Sequence, residues 1–379
     1  MSADNFLVQD FRPLFLTVEG VGPFREAPFE LDFTDLNGEP CNFFLLMSQN
    51  GRGKTTLLEV MAALMGLLER REPALIGFED LDNGDGRAQW DLLARLYRDG
   101  REETLIISLA AGRDEPWTLK PWGESLLRSH GADHWCPFGL QRHTSGRLET
   151  FGETDERVQD LLGAIRAHMG EAPVVFEDDP LAMPTLLSFS AYRDIARVTE
   201  GDRGIMQPGA WGYRPVQRFG QESRGWKDSL DNLLVWLSWL DDGRYQQALK
   251  TINERVFAGG TKFLRGVRKD PPQAVVENGT HRHRLDRLSS GEKSLVQIYL
   301  RTGVHMTRST ILIIDEMDIH LHSKWQHRLL NILKQMAKDH PGLTIIASSH
   351  ARELIPAFAH DIAEPGLRKA GEIIEAGLG

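Results

Sequence analysis

The apolar positions change period several times along the chain, and each change marks an element. Leu14, Leu16 and Val18 alternate with other residues, Gly20 and Gly22 punctuate, and Phe29, Leu31 and Phe33 alternate again. That is strand, turn, strand. Phe43-Phe44-Leu45-Leu46 is a continuous apolar run, followed at helical spacing by Leu57, Leu58, Val60, Met61, Leu64 and Met65. Trp90, Leu92, Ala94 and Leu96 return to alternation. Arg98-Asp99-Gly100-Arg101 then reads as a hairpin turn and Thr104 to Leu109 as the returning strand.

The middle of the chain is less regular. Residues 112–150 are rich in Gly, Trp, Pro and His and follow neither period. A helix is expected over 156–168, and a core strand ending in a loop over 186–193. Six glycines and two prolines make 201–225 a long loop. Residues 228–257 carry a helical apolar pattern, with Trp226, Trp236 and Trp239 expected in the core. A helix opens near Ser289, and Thr310–Ile314 and Leu343–Ala347 are short apolar runs of the kind that form buried parallel strands. The pattern predicts an α/β fold.

A length of 379 residues with 41% apolar content suits two domains, or one large α/β domain with an insertion. No apolar run reaches the roughly 18 residues that a membrane helix needs, and the first residues, MSADNFLVQDF, lack the pattern of a signal peptide. Two cysteines, Cys41 and Cys136, make no disulfide framework, so a reducing cytoplasmic location is expected. The net charge of -10 argues against a surface that binds nucleic acid throughout, but not against a local patch. Arg244 to Arg287 holds ten Lys or Arg against four Asp or Glu, and is a candidate contact for DNA, RNA or an acidic partner.

The chemistry concentrates at the ends of the apolar runs. Met47 to Thr56, MSQNGRGKTT, lies between a strand and a helix and ends in Gly-Lys-Thr, as a phosphate-binding P-loop does. Backbone N–H groups of Asn50, Gly51, Gly53, Lys54, Thr55 and Thr56 can face an anion at the helix N-terminus. Lys54 suits the β- and γ-phosphates, and the Thr55 hydroxyl suits Mg²⁺. Ser48 stands where that motif usually has its first Gly. In LSSGEKS, Ser289 and Glu292 have capping-box spacing, and Ser289 and Gly291 form a second candidate anion site. TILIIDE ends in two carboxylates: Asp315 suits Mg²⁺, and Glu316 suits proton abstraction from an attacking water. His350 follows the last apolar strand and can donate to a γ-phosphate or orient that water. Asp318, His320 and His322 read better as a supporting loop than as a metal site. Gln89, taken alone, reads as a surface residue, and Arg12 and Arg25 as either nucleotide contacts or solvated loop arginines.

The order of these motifs resembles that of an ABC-type ATPase. NGRGKTT, the RAQ at 87–89 and LIIDEMDIHLHSKWQ are similar to the RecF/SMC-like DNA-repair ATPases and to the overcoming-lysogeny-defect ATPases of phage defence. The resemblance covers 13–110 and 285–355 well and the middle weakly. It implies an ATPase head built from 1–120 and 285–379, with an N-terminal antiparallel β subdomain, a mixed or parallel P-loop sheet and a mainly helical insertion over 121–284. It implies Gln89 as the Q-loop and a Mg²⁺ ligand, Ser289 and Gly291 as the signature, and His350 as the switch. It also implies MgATP hydrolysis and a homodimer that sandwiches ATP. Ser290 departs from the signature's first Gly. The 110–285 stretch lacks the sustained heptads of a coiled-coil arm. With 29 residues after His350, no Toprim nuclease domain is expected, and a nuclease or toxin effector would be a separate chain. A DNA-repair ATPase that binds DNA itself, and a nucleotide-dependent scaffold with little turnover, stay open as alternatives.

Overall fold

In the computed structural model, residues 6–49, 51–113, 120–171, 180–199, 202–319, 321–359 and 365–374 are described. The first half begins with strands β1 (Phe6–Glu19), β2 (Phe29–Asp32) and β3 (Phe43–Ser48), then helices α1 (Lys54–Met65) and α2 (Glu79–Asp82), then β4 (Arg87–Arg98) and β5 (Arg101–Arg113). It continues through α3 (Glu124–Ser129), β6 (His134–Arg142), β7 (Leu148–Phe151), α4 (Glu156–His168), β8 (Pro184–Phe189) and β9 (Val216–Phe219). Then come α5 (Leu230–Leu240), α6 (Arg244–Thr251), β10 (Lys262–Lys269), β11 (Pro272–Asn278), β12 (His281–His283) and α7 (Ser290–His305). The chain closes with β13 (Ser309–Ile314), α8 (Ser323–Asp339), β14 (Leu343–Ser349), α9 (Leu354–Ala359) and β15 (Lys369–Ile374).

One sheet has the order β15-β3-β14-β13-β8-β9, and every described pairing in it is parallel. A second has the order β2-β1-β4-β5-β6-β7 and is antiparallel except between β5 and β6. The expected antiparallel subdomain and parallel P-loop sheet are both present. The turn between β4 and β5 needs left-handed backbone at Asp99 (φ 49°) and Gly100 (φ 82°), which the Asp-Gly pair supplies.

The continuous apolar runs are explained by burial on both faces. Along β3, Phe44 and Leu46 enter the core shared with α1 and the antiparallel sheet. Phe43, Leu45 and Met47 enter the core shared with α5, α7 and α8. β13 divides the same way, with Ile311 and Ile313 on one side and Leu312 and Ile314 on the other. Strands buried on both faces cannot alternate with polar residues. Because all these strands are parallel, their C-terminal ends share one edge of the sheet, where α/β folds bind ligands.

The 121–284 stretch is mixed where a mainly helical insertion is expected. It supplies α3 to α6, but β6 and β7 extend the antiparallel sheet, β8 and β9 extend the parallel one, and β10-β11-β12 form a third sheet. Gly, Pro and Trp obscure the alternation of these short strands in the sequence. The loop expected over 201–225 contains β9. The helical pattern over 228–257 breaks at Asp241 (φ 51°) and Gly243 (φ 90°), which turn the chain from α5 into α6. Trp226 is buried as expected, but Trp239 is 56% exposed and stacks on Trp236 at 4.9 Å. Cys41 and Cys136 are buried free thiols. Among the described residues no helix is long and apolar enough to cross a membrane.

Candidate nucleotide site

The P-loop connects β3 to α1 and needs left-handed backbone at Gly51 (φ 77°) and Gly53 (φ 90°). At Gly53 a Cβ would lie 2.7 Å from the Phe24 ring and from Pro23, so the β1–β2 turn presses against the loop and admits only glycine there. The start of α1 has no side-chain cap, whereas Asp155, Ser229 and Ser289 cap α4, α5 and α7. Uncapped N–H groups at a buried helix start suit an anion. Lys54 is buried and donates to Ser48 O (2.8 Å), Ser48 Oγ (3.0 Å) and Gln49 O (3.2 Å). Burial lowers its pKa, against the opposing pull of Glu316, Asp315 and Asp318. Thr56 packs behind the loop, where a Cβ on Gly22 would meet its methyl at 2.8 Å. Asn50 lies outside the described residues.

Three elements meet at Asp315. Thr55 Oγ1 donates to Asp315 Oδ2 at 2.8 Å, across 260 residues of sequence. Ser348 Oγ, at the end of β14, donates to Asp315 Oδ1 at 2.6 Å and accepts from the Glu316 N–H at 2.7 Å. Glu316 is left-handed (φ 43°), an unusual conformation for a residue with a side chain. β13 has ended at Ile314. This turn, rather than strand alternation, therefore separates the two carboxylates, and Ser348 holds both ends of it. Beside Thr55 and Asp315 lies a cavity of about 260 Å³, with Glu59, Ser188, Ser190 and Arg218 also in its wall. A larger cavity of about 420 Å³, between α6, α7 and α8, contains none of the predicted site residues.

His350 follows β14 and is exposed. Its Nδ1 lies 3.2 Å from Asp318 Oδ2, while the Asp318 side chain is fully buried. The Asp318 oxygens accept no aligned hydrogen bond among the described residues, so this is an approach of the two groups rather than a made bond. No group of three or more His, Cys, Asp or Glu is clustered as a metal site among the described residues. His320 lies outside them.

Ser289 and Gln89 make their described hydrogen bonds to residues other than Thr55 and Asp315. Ser289 caps α7: its N–H and Oγ donate to Glu292 Oε2 at 2.9 and 2.7 Å. Lys262 Nζ grips the same carboxylate at 2.7 Å. Burial works against the Glu292 charge, but Lys262 and Ser289 outweigh it and lower the pKa. A Cβ on Gly291 would lie 3.0 Å from Leu321 Cδ2, so the start of α7 packs on the segment before α8. Gln89 belongs to β4 and pairs with Thr17 and Ala110 in the antiparallel sheet. Its amide donates to Asp91 Oδ1 (2.8 Å) and Lys120 O (3.0 Å) and accepts from the Lys120 N–H (2.8 Å). Gln89 is therefore engaged away from Thr55 and Asp315. Arg12 bonds to Asp10 and Pro341 O, and Arg25 to Asp80, so both are tied within the protein.

Two residues at the site were not assigned roles from the sequence: Ser348, the shared partner of Asp315 and Glu316, and Arg193, which bonds to the carbonyls of both. Ser348 lies at the end of β14 and Arg193 just past β8, at the edge of the parallel sheet that carries Asp315. Counting residues past each apolar run could have picked them out.

A family described as "AAA domain, putative AbiEii toxin, Type IV TA system" matches residues 223–355, which include α7, β13 and β14. Curated proteins give no match. Among solved structures, the chain is similar to an SMC head domain from Thermotoga maritima, at 13% identity, TM-score 0.37 and 91% coverage of each chain. It is also similar to an SmcHead bound to the C-winged helix domain of ScpA, at 13% identity and TM-score 0.41, covering 95% of this chain and 93% of that one. A third is an ATP-binding cassette in a dimeric post-hydrolysis state bound to ADP and Pi, at 11% identity, TM-score 0.31 and 89% coverage of each chain. These likenesses are distant. The family match and the chain's own topology, with a P-loop and an Asp-Glu pair at one edge of a parallel sheet, agree with an ABC-type P-loop ATPase head.

Proposed function

We propose that the chain binds MgATP at the edge formed by β3, β13 and β14, hydrolyses it, and uses the cycle to close and open a two-fold dimer that gates a separate nuclease or toxin effector. One observation carries the ATP reading. The Thr55 hydroxyl and the Asp315 carboxylate, from opposite ends of the chain, meet at 2.8 Å beside the uncapped start of α1. A hydroxyl and one carboxylate next to a phosphate cradle is the donor set that Mg²⁺ takes in nucleotide sites.

The residues divide the work as follows. Lys54, released from the Ser48 and Gln49 carbonyls, holds phosphate oxygens together with the N–H groups of Gly51, Gly53, Thr55 and Thr56. Thr55 and Asp315 hold Mg²⁺, which supplies charge neutralisation at the phosphates. Glu316, aimed by its left-handed turn and by Ser348, takes the proton of the attacking water. His350 steadies that water or the γ-phosphate. For Gln89 to act as a Mg²⁺ ligand, its amide would first have to leave Asp91 and Lys120, so we give it the weakest claim.

The dimer follows from the signature. Ser289 and Gly291 share no described hydrogen bond with the P-loop of their own chain. A γ-phosphate held by a second copy is the ligand they suit, and a two-fold axis would serve both sites at once. The family description names a type IV toxin–antitoxin system, a two-component setting in which a separate effector chain is the partner we propose.

Light scattering tests this. The Glu316→Gln protein should run as a dimer with MgATP and as a monomer with MgADP. Adding Ser289→Arg should break the dimer while leaving single-site nucleotide binding intact. A Glu316→Gln protein that stays monomeric with MgATP, or dimerises equally without nucleotide, would show the sandwich to be wrong.

A further inference from the structure

Arg193 is an unusual residue to find in this position. It lies just past the end of β8, is only 5% exposed, and has no carboxylate ion-pair partner among the described residues. Its guanidinium spends its donors on carbonyls and one hydroxyl. Nη1 donates to Ser190 O and to Asp315 O, each at 2.6 Å, Nη2 to Glu316 O at 3.0 Å, and Nε to Ser294 Oγ at 2.9 Å. Burying a cation without a bonded anion is costly. A lysine could not make this fork, because its donors lie on one nitrogen.

Two of those acceptors are the carbonyls of the residues whose side chains are the Mg²⁺ ligand and the base. The fourth bond goes to α7, one turn beyond Gly291. The next residue, Asp194, is tied to the same helix: Lys293 Nζ donates to its Oδ1 at 2.7 Å and Gln297 Nε2 to its carbonyl at 2.9 Å. Three side chains of α7 therefore grip the Arg193–Asp194 pair, and that pair grips the Asp315–Glu316 turn. A shift of α7 cannot leave the turn unmoved unless one of these bonds breaks.

We propose that Arg193 is a positioning residue that transmits the setting of α7 to the Asp315–Glu316 turn. The two carboxylates then reach working geometry only when the signature end of α7 is seated. This rests on the nucleotide reading above, and it adds the route by which signature engagement reaches the base. Since α7 is also the element offered to a second copy, closure of the pair and readiness for hydrolysis become one event.

The test uses the full-length protein with Arg193→Lys, which keeps the charge and loses the fork, and Ser294→Ala, which cuts only the bond to α7. Misplacing catalytic groups by about 1 Å costs up to about 10²-fold. For Arg193→Lys we therefore expect kcat to fall between about 10- and 10²-fold, with KM for ATP little changed. Ser294→Ala should fall less, and the double variant no further than Arg193→Lys alone. Hydrogen exchange supplies the second readout. MgATP should protect both the P-loop and the start of α7 in the wild type, but only the P-loop in either variant. Ser294→Ala keeps the test decisive if Arg193→Lys folds poorly. Wild-type kcat in both variants, additive losses in the double variant, or protection that still spreads to α7 would overturn the proposal. A wild-type protein with no MgATP-induced protection anywhere would instead overturn the nucleotide reading beneath it.

Discussion

Lys54→Ala gives the most direct test of the nucleotide site, because its effects with and without ligand can be separated. Without nucleotide, Lys54 is a strut. It makes three bonds to Ser48 and Gln49, so its removal leaves acceptors of the P-loop unpaired. Bonds from charged donors are worth about 1.5–3 kcal/mol each in buried settings. Part of that is returned here, because burial disfavours the Lys54 charge and Gln49 is open to water. A net loss of about 1–2 kcal/mol is expected. With nucleotide, Lys54 is a ligand. Free MgATP at about 100 times its dissociation constant stabilises the wild type by about 2.7 kcal/mol.

The length of the chain converts these values to temperature. Unfolding entropy of about 2.1 cal/mol/K per residue gives about 0.8 kcal/mol/K for 379 residues. The ligand shift in the wild type is then about 3 °C, and the ligand-free Lys54→Ala protein should melt about 1–3 °C lower than the ligand-free wild type. Differential scanning fluorimetry across a MgATP titration resolves both, provided each variant is referenced to its own ligand-free melting point. The variant should show no shift at the concentration that saturates the wild type. A Lys54→Ala shift within 1 °C of the wild-type shift would refute the assignment of Lys54, and a wild type that never shifts would refute the site.

Glu316→Gln should bind MgATP as the wild type does and release phosphate about 10²-fold more slowly or worse; an unchanged rate would require another base. In the basic 244–287 stretch, Arg244, Arg255, Lys262, Arg265, Arg282 and Arg284 have carboxylate partners, leaving Lys250, Arg268, Lys269 and Arg287 without one among the described residues. Any DNA binding through this stretch should therefore show a log–log salt slope no steeper than about -3.6 in filter assays, and a steeper slope would show that the paired arginines are released to phosphates. Burial pushes Glu222 up to about 8 and His305 down to about 3, from ordinary values of 4.5 and 6.5. The folded protein thus binds the extra proton at Glu222 and loses stability as pH rises toward 8, whereas at His305 it resists the proton and loses stability as pH falls toward 3. The two slopes, each about 1.4 kcal/mol per pH unit, oppose one another between 4.5 and 6.5, so urea midpoints should be flat there; Glu222→Gln should abolish the decline above 6.5, and its persistence would refute the assignment.

The elements that bury apolar residues on two faces were the legible ones. β3, β13 and β14 declare themselves by unbroken apolar runs, and α1 by helical spacing, because no polar alternation is possible between two cores. The motif residues at their ends, Lys54, Thr55, Asp315, Glu316 and His350, were therefore placed on the correct edge. β6, β7 and β9 are not legible because each is only partly buried, with Pro137, Gly139 and Gln217 interrupting any period, and β7 and β9 have four residues each. The expectation for Trp239 fails for a different reason: at about 100° per residue it falls on the side of α5 opposite the buried Leu230, Leu233, Leu234 and Leu237. The pairing of six cations in the 244–287 stretch is not visible in its local charge count, because some of the partners, such as Glu292 and Asp339, lie outside the counted segment.

The sequence names the groups that can do chemistry, but not what holds them in place. Asp315 and Glu316 are adjacent, and strand alternation alone would send them to opposite faces. In the fold they diverge because Glu316 adopts a left-handed turn, a conformation that a residue with a side chain keeps only when its surroundings impose it. Those surroundings are Ser348 on one side, bonded to the Asp315 carboxylate and the Glu316 N–H, and Arg193 on the other, bonded to both carbonyls. Neither belongs to a phosphate or metal motif, and either could be lost with every motif intact. Damage to this mounting should therefore appear in turnover before it appears in nucleotide binding. Lys54 stands on a different element and keeps its own contacts to Ser48 and Gln49.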